Sequence, residues 1–436
     1  FRKMGGIAFG QLQDRSGERV QFSLRRDDLG VDTFKAWAGA IALGDFIGIA
    51  GELWTTDKGE TTVAVSDLVL LTKTTRPMPD KWAGIADTDA RYRKRYLDLL
   101  ANPESRRRFA VRSQVITLIR SFLDRNGFVE VETPILQAAA AGAAARPFST
   151  HHHALDRDFF LRISPETYLK RVVAGGFDRV YELGRNFRNE GMDASHLQEF
   201  TMLEWYAAYW DYRDNMSFVR ELVLEVLDAV LGTRTIVATD GTELDFGADW
   251  PELDFRDAVA ERTGIDLREL RDVATLRDAV RAAGLLDDEE AEGAVSYAGL
   301  VDVLYKRAVR PELIQPCFVV GHPVELVPLA RRSDDDPTRL DMFQVVVNTW
   351  EIVKAYSELV DPVDQRARLE EQVELREQGD EETMMLEEDF LECMAHGMPP
   401  MSGLGLGIDR FVALLTGAGT LRDVVLFPQL RDTEPS

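Results

Sequence analysis

An α+β fold in two parts is predicted: a small, partial β-barrel at the N-terminus, then a larger domain on an antiparallel sheet flanked by helices. Three observations predict it. Residues 1–75 carry short alternating runs separated by turn residues. From Arg106 onward, helical periodicity alternates with strand periodicity. Near the C-terminus a Gly-rich strand, 403–408, runs into a helix over 409–416.

In the first part, 6–12 and 20–24 alternate around a turn at 14–17. Two more strands, 45–53 and 61–71, are separated by Asp57-Lys58-Gly59, as in a hairpin. Strands this short suggest a small barrel, of which an OB-fold is one form. The chain opens on Phe1 within this β-rich pattern, so part of an N-terminal segment is expected to be missing. Pro77, Pro79 and Asp80 mark a linker over 76–104. A basic stretch follows: Arg91, Arg93, Lys94 and Arg95, then Arg106, Arg107 and Arg108. It reads either as a solvated helix face or as a phosphate-contacting surface.

The second part, 105–432, opens with a helix over 111–126, with Val115, Ile116, Ile119 and Phe122 on its apolar face and Gly127 at its end. A short strand, 128–132, is stopped by Thr133-Pro134. Ser164-Pro165 starts a helix, with Ser as N-cap and Pro in the first turn, and Gly175-Gly176 ends it. Strands follow at 177–184 and 199–209. A helical insertion at about 255–312 has an acidic tip at 287–292. Strands return at 317–320 and 341–359.

The 436 residues suffice for two or three domains, and the net charge of −24 argues against a simple nucleic-acid coat protein. No run approaches the ~18 apolar residues of a membrane helix, and no secretory signal is visible. Two cysteines, Cys317 and Cys393, exclude a disulfide scaffold and a four-cysteine zinc site, and fit a reducing cytoplasm. There is no P-loop, and Gly403-Leu404-Gly405-Leu406-Gly407 is not a dinucleotide fingerprint. His151, His152 and His153 lack the spaced partners of a metal site.

Chemistry concentrates elsewhere. Alternation puts Phe200, Met202, Glu204 and Tyr206 on one face of their strand. That face is either an amphipathic edge or a shelf: an aromatic to stack a base, a carboxylate and a phenol to hold a cation. The Gly-rich strand lets a flat ligand approach the backbone, and Arg410 can stack on a purine or grip a phosphate.

Taken together, Glu130-Val131-Glu132-Thr133-Pro134, Phe187-Arg188-Asn189-Glu190-Gly191 with 199–209, and 403–410 resemble motifs 1, 2 and 3 of class II aminoacyl-tRNA synthetases. Ala145-Arg146-Pro147-Phe148, His152-His153-Ala154-Leu155, 165–171, 328–332 and 356–359 extend the resemblance to the bacterial-type lysyl-tRNA synthetases, over nearly the whole chain. The resemblance implies ATP-dependent activation of L-lysine to lysyl-adenylate, transfer to tRNA(Lys), Mg2+ as cofactor and a homodimer through motif 1. It implies that Arg188 and Arg410 are catalytic and bind ATP with Glu190, His196, Phe200 and Glu351. Lysine would be held by Gly142, Glu166, Glu204, Tyr206, Lys354, Tyr356 and Glu358. Gln344 and Glu351 would face the metal, and Phe9, Gln21 and Asp67 the anticodon.

The chain departs from that pattern at three places. Lys354 stands where the family has Asn, Gln344 where it has a metal-binding Glu, and an Ala run covers 138–141. A cation at 354 would bind the substrate carboxylate or pair with Glu358. Alternation puts Glu351 on the opposite face from Glu358, so a bulge is required between them. Two other readings are a catalytically impaired, RNA-binding regulatory relative and a paralogue that lysylates a protein.

Overall fold

Alternation in the first 75 residues becomes five strands: β1 (Arg2–Met4), β2 (Ile7–Gln13), β3 (Arg19–Arg25), β4 (Phe46–Thr55) and β5 (Thr61–Thr72). They lie in the order β1-β2-β3-β5-β4, with only β3 and β5 parallel. This is the strand order of an OB-fold; among the described residues β1 and β4 remain edges, so the barrel is partial. The computed structural model describes residues 1–14, 16–76, 87–140, 142–380 and 383–431. Linker residues Pro77, Pro79 and Asp80, and Ala141 of the Ala run, lie outside them. The chain divides into two compact units, Phe1–Arg107 and Arg108–Ser436.

In the first unit Ala8, Phe22, Leu24 and Val65 pack against Phe34 and Ala38 of a helix, Val31–Ala40, which the strand-like reading of this region did not anticipate. The solvated-face reading of the basic stretch holds for Arg93, Lys94 and Arg107, which are exposed, whereas Arg95 is buried. Asp98 is buried and takes Arg91 at 3.1 Å and Arg95 at 2.8 Å, while Arg93 pairs with Asp89 at 2.5 Å and Arg107 with Glu104 at 3.0 Å. These cations neutralise acids of their own short helices, Thr88–Arg93, Arg95–Ala101 and the start of Pro103–Arg125.

The second unit continues with β6 (Val129–Glu130), β7 (Leu136–Gln137), β8 (Ser149–His152), β9 (Arg157–Leu161), β10 (Arg179–Phe187), β11 (Glu199–Ala208), β12 (Thr235–Val237), β13 (Glu243–Asp245), β14 (Glu252–Asp254), β15 (Cys317–Val320), β16 (Met342–Val347), β17 (Trp350–Ser357) and β18 (Met401–Gly407). The main sheet has the order β14-β15-β16-β17-β18-β11-β10-β6. Its centre is antiparallel, and only its edge pairs, β14–β15 and β6–β10, are parallel.

One face of this sheet is the core. Leu203, Trp205, Val353, Ala355, Leu404 and Leu406 pack against the helices Pro103–Arg125, Tyr212–Val230 and Ile408–Leu415. The insertion carries its own core of Val259, Leu276, Val280, Leu300 and Leu304. Alternation then sends the remaining side chains of β11, β17 and β18 to the open face.

A buried ion pair fixes three of these elements. Arg112 donates to Asp409 at 2.5 Å and to the Thr201 hydroxyl at 2.8 Å, and the Thr201 amide donates to Asp409 at 2.7 Å. Asp409→Ala leaves the Arg112 guanidinium without its counter-charge and the Thr201 amide without its acceptor. The expected cost is about 3–5 kcal/mol, read as a lowered denaturant midpoint for the second unit.

Candidate active site

The open face of the sheet holds a cavity of about 280 Å³. Its floor is set by register. Gln344, Lys354, Gly405 and Glu204 form one row across β16, β17, β18 and β11. The next row is Met342, Tyr356, Gly403 and Tyr206. On the other side Gly407 pairs with Met202, and Phe200 follows along β11.

The three glycines of β18 make a trough between β17 and β11. A Cβ at Gly403 would collide with the Tyr206 ring and the Glu358 carboxylate. At Gly405 a Cβ would meet nothing closer than Met202 Sδ at 3.7 Å, so the missing side chain there is open floor.

The bulge that alternation required is present. Val345 pairs with Val353 and Val346 with Glu351, which leaves Ile352 as the extra residue. Glu351 therefore lines the cavity with Lys354 and Tyr356.

At one end the trough is anionic. Glu166, Glu204 and Glu358 are all buried. Ser164 donates to Glu204 at 2.7 Å, Tyr206 donates to it at 3.0 Å, and Tyr356 donates to Glu166 at 2.6 Å. Burial, then the Glu166 charge, pushes Glu204 up to about 7. Burial and the surrounding carboxylates likewise raise Glu358 and both phenols, so Tyr206 and Tyr356 remain donors.

The resident cation here is Lys170. It donates to Glu166 at 2.7 Å and pairs with Glu358. Burial alone would depress this ammonium, but the two carboxylates outweigh it and raise it. Glu358 therefore pairs with Lys170, and Lys354 does not engage it. Lys170 was missed as a functional residue, although its i,i+4 spacing from Glu166 was there to read. Ser164 also plays another part than expected: the helix begins at Glu166, and the Ser164 hydroxyl accepts from the Glu166 amide at 3.1 Å.

At the other end the trough is cationic. The Arg188 guanidinium lies 5.2 Å from the Phe200 ring centre, and Arg410 donates to the Glu351 carbonyl at 2.9 Å. Glu190 and His196 line the same end. His196 is 2.7 Å from Asp193. Burial works against the Asp193 charge, but hydrogen bonds from His196 and Ser195 hold its carboxyl down at about 2. Gly142, at φ +84°, lines the cavity beside Ser164 and Glu166.

Gln344 lies on this face opposite Lys354 but does not reach the cavity lining, and it donates its amide to Glu351 at 2.7 Å. Among the described residues no group of three or more His, Cys, Asp or Glu could hold a metal, the His151–His153 run included.

In the first unit, Phe9 pairs with Ser23 and Gln11 with Gln21, on the face opposite Ala8, Phe22 and Leu24. Phe9 is thus half-buried outside the core, Gln21 donates to Thr62 at 2.8 Å, and Asp67 is exposed.

An antiparallel sheet with an Arg-Phe pair at one end of a glycine trough matches the class foreseen in the motifs. The family model for class II tRNA synthetases (D, K and N) matches residues 87–431. The chain is 45% identical to the lysine–tRNA ligase of Pelotomaculum thermopropionicum, covering 99% of this chain and 85% of that protein. The corresponding ligase of Dehalococcoides mccartyi is 47% identical over 100% and 86%, and that of Aquifex aeolicus 43% over 99% and 71%. The chain is an aminoacyl-tRNA synthetase of class II, and within that class it belongs to the lysine–tRNA ligase family.

Glu204 gives the ligand-free chain a pH signature. Between the ordinary carboxyl range and about 7 the folded state keeps a proton that the unfolded state has lost. Stability from this group is present below about 4.5 and is lost as pH rises through about 7, a loss of about 3 kcal/mol. Denaturant midpoints at pH 5 and pH 8 should differ accordingly, and Glu204→Gln should remove that part of the difference.

Proposed function

We propose that this trough activates L-lysine with ATP and passes the lysyl group to the 3′ end of tRNA(Lys). The observation that carries the reading is charge balance at the anionic end. Three buried carboxylates face one resident ammonium, which leaves two negative charges when all are ionised. Lysine brings two ammonium groups. An aspartate or asparagine substrate would bring one, and an aspartate site would need an Arg facing the side chain. Unpaired buried charge costs several kcal/mol, so the trough rejects neutral side chains.

The roles follow from position. Glu204, Tyr206 and Glu358 face the side-chain ammonium, and Glu166 with the Gly142 carbonyl faces the α-ammonium. The lysine carboxylate then points toward Arg188, Lys354 and the nucleotide. Phe200 stacks on adenine, Glu190 contacts its amino group, and Arg188, Arg410 and His196 hold phosphates. A carboxylate oxygen attacks the α-phosphorus, and pyrophosphate leaves in line. The tRNA hydroxyl next attacks the lysyl carbonyl and releases AMP.

The donor set fits a nucleotide-borne Mg2+. Glu351 offers a carboxylate to the cavity, and the buried Gln344 Oε1 has no hydrogen-bond partner. Such ions take one or two protein carboxylates plus phosphate oxygens, and supply charge neutralisation.

The N-terminal unit would read the anticodon, with Phe9 stacking on a base and Gln21 and Asp67 reading edges. Exposed Val129, Ile135 and Leu136 beside motif 1 support a homodimer through that element. Two free cysteines fit a cytoplasmic site of action. The relatives favour the tRNA ligase over an inactive regulatory protein.

Amino-acid-dependent ATP–pyrophosphate exchange should occur with lysine alone among the twenty amino acids; exchange with none, from a chain that binds ATP, overturns the reading. Glu204→Gln should lower kcat/KM for lysine about 100-fold or more. Because Glu204 must ionise to receive a cation, lysine affinity should fall as pH drops below about 7, approaching tenfold per pH step. Calorimetry in two buffers should show proton release on binding. Phe9→Ala should lower tRNA charging about tenfold while leaving exchange unchanged.

A further inference from the structure

Lys354 is a cation with no assigned counter-charge. It lines the cavity, and among the described residues it makes no hydrogen bond or ion pair. Its cross-strand neighbour on β16 is Gln344, a neutral amide occupied with Glu351. On its other side is Gly405, which has no side chain. Of the three buried acids at the amine end, Glu166 and Glu358 hold Lys170, while Glu204, in Lys354's own row across Gly405, takes the Ser164 and Tyr206 hydroxyls.

Its place in the register is the middle of the trough. One row away, Tyr356, Gly403 and Tyr206 belong to the amine end. In the opposite direction lie Glu351, Gly407 and Arg410 at the nucleotide end. The lysine carboxylate and the α-phosphate must meet between these ends, and both are anionic.

We propose that Lys354 Nζ binds the α-phosphate of ATP where the carboxylate attacks it, and so takes over charge neutralisation that divalent ions would otherwise supply. This rests on the ligase reading and extends it to a second catalytic cation. The bond formed is carboxylate oxygen to α-phosphorus, and the bond broken is α-phosphorus to the bridging oxygen of the leaving pyrophosphate. Lys354 keeps its proton throughout and acts by charge alone. Glu351 is then the one carboxylate needed for a nucleotide-borne metal, consistent with the absence of a larger acidic cluster among the described residues.

Binding separates this from a structural role. α,β-Methylene-ATP cannot react at the α-phosphorus, so calorimetry on the intact chain reads affinity without chemistry. In EDTA the wild type should bind it within about tenfold of its affinity in Mg2+. Lys354→Met should lose at least a further tenfold in EDTA and clearly less in Mg2+, and Lys354→Arg should retain metal-free binding. In exchange assays, Lys354→Asn should raise the Mg2+ concentration for half-maximal rate about fivefold, and adding Gln344→Glu should bring it back down. Equal metal-free affinity of wild type and Lys354→Met, or superimposable Mg2+ curves, overturns the proposal. If Lys354→Met fails to fold, Lys354→Arg against Lys354→Gln decides the same point. Lysine-dependent exchange by the wild type keeps the ligase reading intact whichever way Lys354 falls, and its absence sinks both.

Discussion

The constraint on which the site depends is incompletely compensated negative charge at buried positions. Three carboxylates share one end of the trough with a single ammonium. Burial first, and then the neighbouring carboxylates, drive protons back on, as the raised Glu204 and Glu358 carboxyls record. Lys170 lets Glu166 and Glu358 coexist, and two phenols and a serine hydroxyl donate to the remaining oxygens. The opposite end carries Arg188 and Arg410, so the trough is polarised along its length. A ligand that is cationic at one end and anionic at the other is oriented before any specific contact forms.

Such charge stays buried only if the floor cannot relax. The backing of the trough is rigid for identifiable reasons. Trp205 donates to Asn215 at 2.7 Å, Asn215 donates to Ser402 at 2.7 Å, and Ser402 donates to the Tyr356 carbonyl at 2.7 Å. This chain of buried bonds runs from β11 through the helix Tyr212–Val230 to β18 and β17. It locks the three strands that carry Glu204, the glycines and Lys354. Fully satisfied networks of this kind specify one arrangement.

The sequence made the floor of the site legible because period-2 alternation is a local signal. Phe200, Met202, Glu204 and Tyr206 could be placed on one face without any partner, and glycines at alternate positions of a strand announce a ligand or a close approach. The need for a bulge near Glu351 was likewise readable, although its position at Ile352 depended on pairing with β16. What stayed hidden was long-range. Glu358 finds Lys170 across many residues, and Ser164 turns from a helix cap into a donor to Glu204 because β11 lies beneath it. The helix Val31–Ala40 is a different kind of miss. Phe34, Trp37, Ala38 and Ile41 have helical spacing, but so short a run between alternating segments is a weak local signal.

Set against the pattern the resemblance implies, Gln344 and Lys354 read singly as two losses: a metal-binding acid gone and a polar residue turned cationic. Their register makes them one change. Side chains directly opposite in an antiparallel pair interact strongly, and opposite charges there attract. A glutamate at 344 would face Lys354 across the strands and draw its ammonium away from the trough. The amide at 344 instead bonds Glu351, and Lys354 remains free to face an anion. If Lys354 binds the α-phosphate as proposed, the two residues together move positive charge from an exchangeable ion to a covalent side chain. The gain is a cation that is always in place. The cost is one that cannot be withdrawn, so the lysine side chain must be kept away from it by the carboxylates at the far end. Register contributes to that requirement: Gly405, which has no side chain, lies between Lys354 and Glu204, and Lys170 already occupies Glu166 and Glu358.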